Sequence, residues 1–292
     1  MHSSSLEKLI LKGCLSLVEV HQSIVNLTSV VYLNLEGCWS LRTLPESIGN
    51  VNCLETLNIS RCSQLEKLPD GMGDMECLTV MLADGIENEQ LLSSIGQLKH
   101  VRRLSLRGYN SAPPNSSLIS ASVWNWKWCL PIFLVWRSVN HLKLSYGSLS
   151  DGITSCVDFS GLSSLKELDL SLNKFSSLSS RIGFLPNLGS LIVNACPNLV
   201  SILDLPPSLD KLEAFGCESL ERVRLRIESN KNLHLNLYDC HLLEEIQGIE
   251  GLSDSFWKIE VFKRKHSTKK LQKSFVEVLF LSVSLTQEET HK

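Results

Sequence analysis

The sequence predicts an α/β solenoid with a parallel β-sheet on its inner face and short helices or irregular segments on its outer face. Three observations lead to this prediction. An apolar pattern recurs at a fixed period, apolar and other residues alternate within it as in a β-strand, and Cys or Asn occupies one position after it. The copies that begin at Leu6, Val30 and Leu54 stand in register at a spacing of 24 residues. A fixed period in the twenties is typical of a solenoid.

Each copy reads L-x-x-L-x-L-x-x-C, with conservative replacements, which is the pattern of a leucine-rich repeat with Cys at the Asn/Cys position. Alternation along the strand turns the two leucines of L-x-L to one face and their neighbours to the other. Stacked repeats merge these leucines into one core, and the intervening residues line a concave surface. The predicted fold is therefore a leucine-rich-repeat horseshoe.

The pattern is regular from residue 6 to residue 77 and then varies. The fourth repeat has Met81 and Ala83 at the strand positions and Ile86 in place of Cys. A later repeat has Asn173 at that position, which supports the assignment because leucine-rich repeats carry either Asn or Cys there. Together the patterns indicate about ten repeats.

The spacing of these patterns divides the chain into four segments. Residues 1–110 form a first block of repeats, 111–137 an aromatic insert loop, 138–255 a second block, and 256–292 a basic tail without repeats. The insert could bind a partner, but exposed aromatic clusters of this size are costly, so we expect it to fold back onto the solenoid. We expect the tail to be a solvated terminus, with a basic localisation patch as the alternative.

The composition, 43% hydrophobic with a formal net charge of −3 over 292 residues, is that of an ordinary soluble protein. It gives no support for nucleic-acid binding. No apolar run is long enough to span a membrane, and no signal peptide is evident, so we expect a location in the cytoplasm or the nucleus. We find no phosphate-binding G-x-x-x-x-G-K-[ST] loop and no metal or catalytic motif. The sequence thus predicts a protein that is not an enzyme and uses no cofactor or metal.

Eight of the ten cysteines follow the repeat. Six of these hold its Cys position, and Cys53 and Cys77 share another position just before the first leucine. We therefore expect these cysteines to be core residues in a reducing compartment rather than disulfides or metal ligands. The first repeat begins at residue 6 without a polar cap, so we expect an open apolar edge there that something else covers.

Several stretches resemble the repeat region of plant intracellular immune receptors, specifically the TIR-type nucleotide-binding leucine-rich repeat disease-resistance proteins (TIR-NBS-LRR). They include LEGCWSLRTLPESIGNVNCLETLNISRCSQLEKLPDGMGDMECL, CPNLVSILDLPPSLDKLEAFGCESLERV and LNLYDCHLLEEIQGIEGL. The resemblance covers about residues 6–255. Its specific elements are the Cys-type repeat, the Leu-Pro after it, and the D-L-P-P-S-L turn.

The resemblance implies a recognition and autoinhibition module. It would contact a pathogen effector or a guarded host protein and restrain a nucleotide-binding switch domain. The TIR domain with its NAD-cleaving glutamate and the nucleotide-binding domain have no counterpart in these residues, and the family's jelly-roll-like domain is not recognisable in residues 256–292. Alternatives are a stand-alone adaptor or decoy, such as a substrate receptor of a ubiquitin ligase, an extracellular receptor module, or a truncated remnant without function.

The default binding surface of a solenoid is its concave face. Its middle repeats are cationic and the next one is anionic, a pattern that steers a complementary partner and fixes its register. Aromatic residues are favoured as contacts because they are enriched at interface hot spots. The predicted partner-binding residues are Lys8, Lys12, Tyr32, Asn34, Arg103, Arg107, His141, Lys143, Glu167, Asp169, Phe215 and Tyr238.

Overall fold

The computed structural model describes residues 6–86, 88–108, 137–146, 149, 151, 161–226, 233–248 and 257–260. Within these ranges the chain is a leucine-rich-repeat solenoid, which confirms the predicted fold class. Its strands are β1 (Lys8–Ile10), β2 (Tyr32–Asn34), β3 (Thr56–Asn58), β4 (Val80–Leu82), β5 (Arg103–Ser105), β6 (His141–Lys143), β7 (Glu167–Asp169), β8 (Ser190–Ile192), β9 (Ser201–Ile202), β10 (Lys211–Glu213), β11 (Arg222–Arg224), β12 (Leu233–Asn236), β13 (Glu245–Gln247) and β14 (Trp257–Glu260).

Eleven of these strands form one parallel sheet, in the order β1-β2-β3-β4-β5-β6-β7-β8-β10-β12-β14. Each central strand residue aligns with its equivalent in the next repeat, as Leu33 does with Leu57 and Leu57 with Met81. These side chains are completely buried, so the predicted leucine positions do form one continuous core.

Short helices follow the strands on the outer side of several repeats. The 3-10 helices are Gln22–Asn26, Glu46–Asn50, Asp70–Asp74 and Ser180–Phe184, and α1 spans Glu89–Ile95. Each 3-10 helix turns one apolar residue inward, as Ile48 and Met72 show. These helices match the expected helical turns of the outer face.

A second parallel sheet, in the order β13-β11-β9, was not anticipated from the sequence. It lies in the later repeats, where the spacing falls to 21 residues between Ser190 of β8 and its register partner Lys211 of β10. A shorter repeat leaves less chain for a helical turn, so the backbone runs extended and pairs with the next repeat. The central residues Val223 and Ile246 are buried against the core.

The Cys/Asn position joins each repeat to the one before it. The thiol of Cys62 donates to the carbonyl of Leu35 at 3.1 Å, and Cys38, Cys196, Cys217 and Cys240 make the equivalent contact. Burial raises the pKa of Cys62 to about 12, so its thiol stays protonated and can act as this donor. The predicted role of this position, a small buried group near carbonyls of a neighbouring turn, is confirmed.

Three cysteines depart from the expectation that repeat-placed cysteines are core residues. Cys14, Cys53 and Cys77 are exposed. Cys53 and Cys77 lie in the turn that precedes a strand, where the following Leu54 and Leu78 take the buried place. Cys14 belongs to the first described repeat, in which most side chains are exposed.

The expected apolar edge at the first repeat is present. Leu6, Ile10, Leu15 and Val18 are 40%, 60%, 49% and 52% exposed. At the other end the inner sheet runs past the expected boundary at residue 255, because β14 pairs in parallel with β12. Residues 109–136, which hold nearly all of the aromatic insert, and the rest of the tail lie outside the described residues.

Candidate functional site

The concave face presents the outward-pointing residues of the inner sheet in columns. Strand register aligns Arg103, His141 and Glu167 in one column, and Ser105, Lys143 and Asp169 in the next. Adjacent parallel strands lie about 4.8 Å apart, so side chains in one column are close neighbours. The structure therefore brings the predicted central residues together.

The predicted residues of the first repeats are partly engaged within the protein. Lys12 forms an ion pair with Glu36 at 3.0 Å. Asn34 is only 7% exposed, accepts a hydrogen bond from the Glu36 amide at 2.9 Å and donates to the hydroxyl of Tyr32 at 3.2 Å. Asn34 thus closes the end of its strand and has little surface to offer a partner, whereas Lys8 is exposed.

A cationic cluster occupies the middle of the face. Arg103, Arg107 and Lys143 are exposed, and so are Arg102 and Lys166, which were not predicted as contacts. Among the residues that the structure describes, none of these five cations forms an ion pair. Arg102 and Lys166 each directly precede a strand, and this place in the repeat is the signal from which they could have been predicted.

His141 lies at the centre of this cluster. Its Nδ1 is 2.6 Å from Oδ1 of Asn140. Partial burial lowers the pKa of His141, and the positive charges of Arg103, Lys166 and Lys143 lower it further, while Glu167 opposes them. The ring is therefore mainly neutral at pH 7, and the cluster's charge comes from its arginines and lysines.

Carboxylates border the cluster on both sides and hold the turns after the strands. Oδ1 of Asp84 accepts from the Ser105 hydroxyl at 2.6 Å and from the Arg107 amide at 2.9 Å. Asp169 accepts from the Ser171 amide at 2.9 Å. The surface is consequently cationic in the repeats of β5 and β6 and is bordered by carboxylates in the repeats of β4 and β7.

The later repeats carry an exposed aromatic pair. The rings of Phe215 and Tyr238 stack with centroids 5.8 Å apart and planes 11° apart, and each residue is 43% exposed. Beside them Lys211 pairs with Glu213 at 2.6 Å. The two predicted aromatic contacts are thus adjacent and accessible.

In most described repeats of the inner sheet, the turn after the strand holds a left-handed residue immediately before the Cys/Asn position. Glycine provides it in several repeats, with φ of 73° at Gly13 and 72° at Gly37. Tyr146 and Leu172 adopt the same conformation with φ of 62° and 60°, although bulky residues rarely do. Both are exposed, at 40% and 38%. Backbone hydrogen bonds join their turns to those of the neighbouring repeats, from the Gly108 amide to the Ser145 carbonyl and from the Tyr146 amide to the Ser171 carbonyl. Both residues therefore lie beside the cationic cluster.

Two features are absent from the part of the chain that the structure describes. It contains no group of three or more His, Cys, Asp or Glu side chains arranged to hold a metal ion. The same residues include no helix of the length and apolar character needed to cross a membrane.

Comparison with known proteins gives two plant relatives. The chain is 38% identical to TMV resistance protein N of Nicotiana glutinosa over 106 residues, which are 36% of this chain and 9% of that protein. It is 34% identical over 77 residues to a disease resistance protein of Arabidopsis thaliana, covering 26% of this chain and 7% of that protein. These relatives confirm the predicted resemblance to the repeat region of plant nucleotide-binding leucine-rich repeat (NLR) resistance proteins. No protein-family model matches the chain.

Solved structures of low sequence identity share parts of the architecture. A leucine-rich-repeat protein of Leptospira interrogans, LIC12759, is 19% identical with a TM-score of 0.42, over 84% of this chain and 71% of that chain. An internalin of Listeria monocytogenes is 16% identical with a TM-score of 0.38, over 91% and 88%.

Proposed function

We propose that this chain is the protein-recognition region of a plant intracellular immune receptor of the TIR-type NLR class. Its concave face binds a pathogen effector or a guarded host protein, and in the resting state the repeats restrain a nucleotide-binding switch domain located elsewhere in the receptor. The receptor acts in the cytoplasm or the nucleus. The observation that carries the proposal is the 38% identity to TMV resistance protein N.

The geometry of the concave face supports the recognition part of the proposal. It combines the exposed cations Arg103 and Lys143, which pair with no described carboxylate, with the accessible aromatic pair Phe215 and Tyr238. Exposed charges fix the register of a partner and aromatic residues supply contact area. Neither feature is required for the solenoid to fold, since the core leucines point the other way.

Binding thermodynamics sets the condition under which a ligand can release the restrained switch domain. A ligand shifts a two-state equilibrium only by the difference in its affinity for the two states. The recognised protein must therefore bind more tightly when the repeats have released the switch domain. In this scheme the chain needs no catalytic group of its own.

The size and composition of the native product test the proposal. We expect an antibody against the repeats to recover from plant tissue a protein several times larger than 32.7 kDa, the mass of this chain. Its tryptic peptides should include a nucleotide-binding domain. Recovery of a product of 32.7 kDa alone would contradict the proposal.

A genetic assay tests recognition in the native receptor. Plants whose receptor carries Arg103→Glu and Lys143→Glu should lose the resistance response to the cognate pathogen while the receptor accumulates normally. Lys174→Glu, an exposed site outside the concave columns, is the matched control and should leave the response intact. An unchanged response in the double variant would exclude this face from recognition.

A further inference from the structure

We propose that the middle of the concave face binds an acidic, extended segment of the recognised protein, a segment that also carries apolar side chains. The surface, here called the acid–apolar site, consists of the cations Arg103, Arg107, Lys143 and Lys166 and the apolar residues Tyr146 and Leu172. The proposal deepens the recognition role proposed above and rests on it.

The first argument is charge. The cations of the site come from three consecutive repeats, those of β5, β6 and β7, and no described carboxylate pairs with them. The outer two of these strands are about 10 Å apart, so an extended segment of three or four residues crosses them. Carboxylates on such a segment would gain ion pairs and hydrogen bonds without breaking any within this protein.

The second argument is exposed apolar surface beside the cations. Tyr146 and Leu172 are 40% and 38% exposed, and each lies on the turn that follows a strand of the site. Both adopt the left-handed conformation, but Arg61, Ala195 and Asp239 adopt it at the same turn of other repeats, so the conformation by itself does not mark a site. Apolar side chains of a bound segment would cover the exposed surface of Tyr146 and Leu172.

The third argument concerns the kind of polymer. Glu167 stands in register with His141, and Asp169 stands in register with Lys143. A nucleic acid carries a charge on every phosphate and would meet these carboxylates. A polypeptide can place a neutral or basic residue opposite them, and its apolar side chains can cover Tyr146 and Leu172. A cationic surface that is bordered by carboxylates therefore favours a peptide segment over an RNA.

Fluorescence anisotropy with synthetic probes tests the site on the full chain. The main probe is a labelled peptide of about twelve residues, long enough to cross three repeats, that carries Glu, Leu and Phe in a Gly-Ser background. Comparison probes replace the apolar residues with Ser, replace Glu with Gln, or substitute a single-stranded RNA of similar length.

Two variant pairs separate the contributions, each with a matched control. Arg107→Gln with Lys143→Gln removes charge, and Lys174→Gln is its control. Tyr146→Asn with Leu172→Asn removes apolar surface and keeps the turn, because Asn tolerates the left-handed conformation. Its control, Asp239→Asn, puts Asn at the same turn position, where φ is 65°, away from the site.

We expect the acidic apolar peptide to bind most tightly. The charge variant should weaken it about tenfold and reduce its salt dependence. The Asn variant should weaken this peptide but leave the apolar-free acidic probe unchanged, and both controls should bind as wild type. No binding of the main probe, equal binding to all variants, or tighter binding of RNA would overturn the inference. Such a failure would leave the native-receptor assays, which test the proposed function, unaffected.

Discussion

The first and the later repeats close the same turn with different residues. Glycines such as Gly13 and Gly37 take the left-handed position in most of the first block, where Arg61 is an exception. In the described turns of the second block Tyr146, Leu172, Ala195 and Asp239 take it, and Gly216 is the exception. The strand register and the buried leucines are the same in both regions. The first block therefore mostly uses glycine at this turn, whereas the second block mostly uses other residues, and two of these, Tyr146 and Leu172, lie next to the cationic cluster.

The position that joins the repeats holds Cys in three repeats of the first block, whereas the second block holds both Cys and Asn there. In the first block Cys62 makes a hydrogen bond to the Leu35 carbonyl. In the second block Asn173 donates to the carbonyls of Leu144, Leu170 and Ser171 at 3.0, 2.8 and 3.4 Å, and accepts from the Leu149 amide at 3.0 Å. One amide side chain thus satisfies more backbone groups than a thiol can.

This difference predicts the largest effect on stability. Asn173→Ala should lower the free energy of unfolding by about 3 kcal/mol, because several buried backbone groups lose their partner. Cys62→Ala should lower it by about 1 kcal/mol, the loss of a weak donor and a small volume. Urea denaturation of both variants checks the ranking, and a smaller effect for Asn173→Ala would contradict it.

Glycines in the outer helices offer a second contrast. A Cβ at Gly183 would overlap the carbonyl oxygen of Asp204, whereas one at Gly71 would be 3.9 Å from the nearest atom, Cα of Gly49. Gly183→Ala should therefore lower stability by about 2 kcal/mol. Gly71→Ala should be neutral or slightly stabilising. Thermal unfolding measures both, and equal effects would show that the outer faces pack alike.

The turn comparison predicts opposite changes in the two regions. Gly37→Ala should lower the free energy of unfolding by about 1 kcal/mol because of its φ of 72°. A steric clash does not contribute, since the nearest atoms would be 3.8 Å from the new Cβ. Ala195→Gly, at φ 50°, should raise it by about 0.5 kcal/mol. Chemical denaturation curves give both values. Destabilisation by Ala195→Gly would mean that the left-handed conformation at this turn is not strained.

The smallest expected effect is the titration of His141. Folding lowers its pKa, so the unfolded chain binds more protons and this group's contribution to stability falls as the pH drops below about 6.5. Lys143→Met should raise the pKa of His141, and Glu167→Gln should lower it further. NMR titration of the imidazole reads these shifts. Insensitivity to both variants would mean that the charges are not gathered around His141.

The sequence was sufficient to predict the inner sheet because its signal repeats. The Cys position follows the L-x-L pair at the same distance in each regular repeat, and even the degenerate repeat with Met81, Ala83 and Ile86 buries these positions. The central cationic residues could be placed on the concave face for the same reason: alternation fixes which strand residues point outward.

The remaining features depend on contacts between repeats. β9 and β11 are not followed by the L-x-L-x-x-Cys pattern that marks the inner strands, and their pairing follows from the shortened repeats. Cys53 is exposed because its turn lies at the surface of the solenoid, and the repeat pattern does not indicate this. Glycines at equivalent turn positions were a usable signal for the left-handed conformation, but the sequence does not indicate that Tyr146 and Leu172 share it.

Zero-length cross-linking of the native complex tests the central claim most directly. A carbodiimide joins a lysine ammonium to a carboxylate in contact with it, and mass spectrometry of the immunopurified product identifies both residues. If the middle of the concave face holds an acidic segment, Lys143 and Lys166 should link to Asp or Glu of a second protein in preference to Lys67, Lys99 and Lys174. Links to the second protein that instead concentrate on those three lysines would contradict the account.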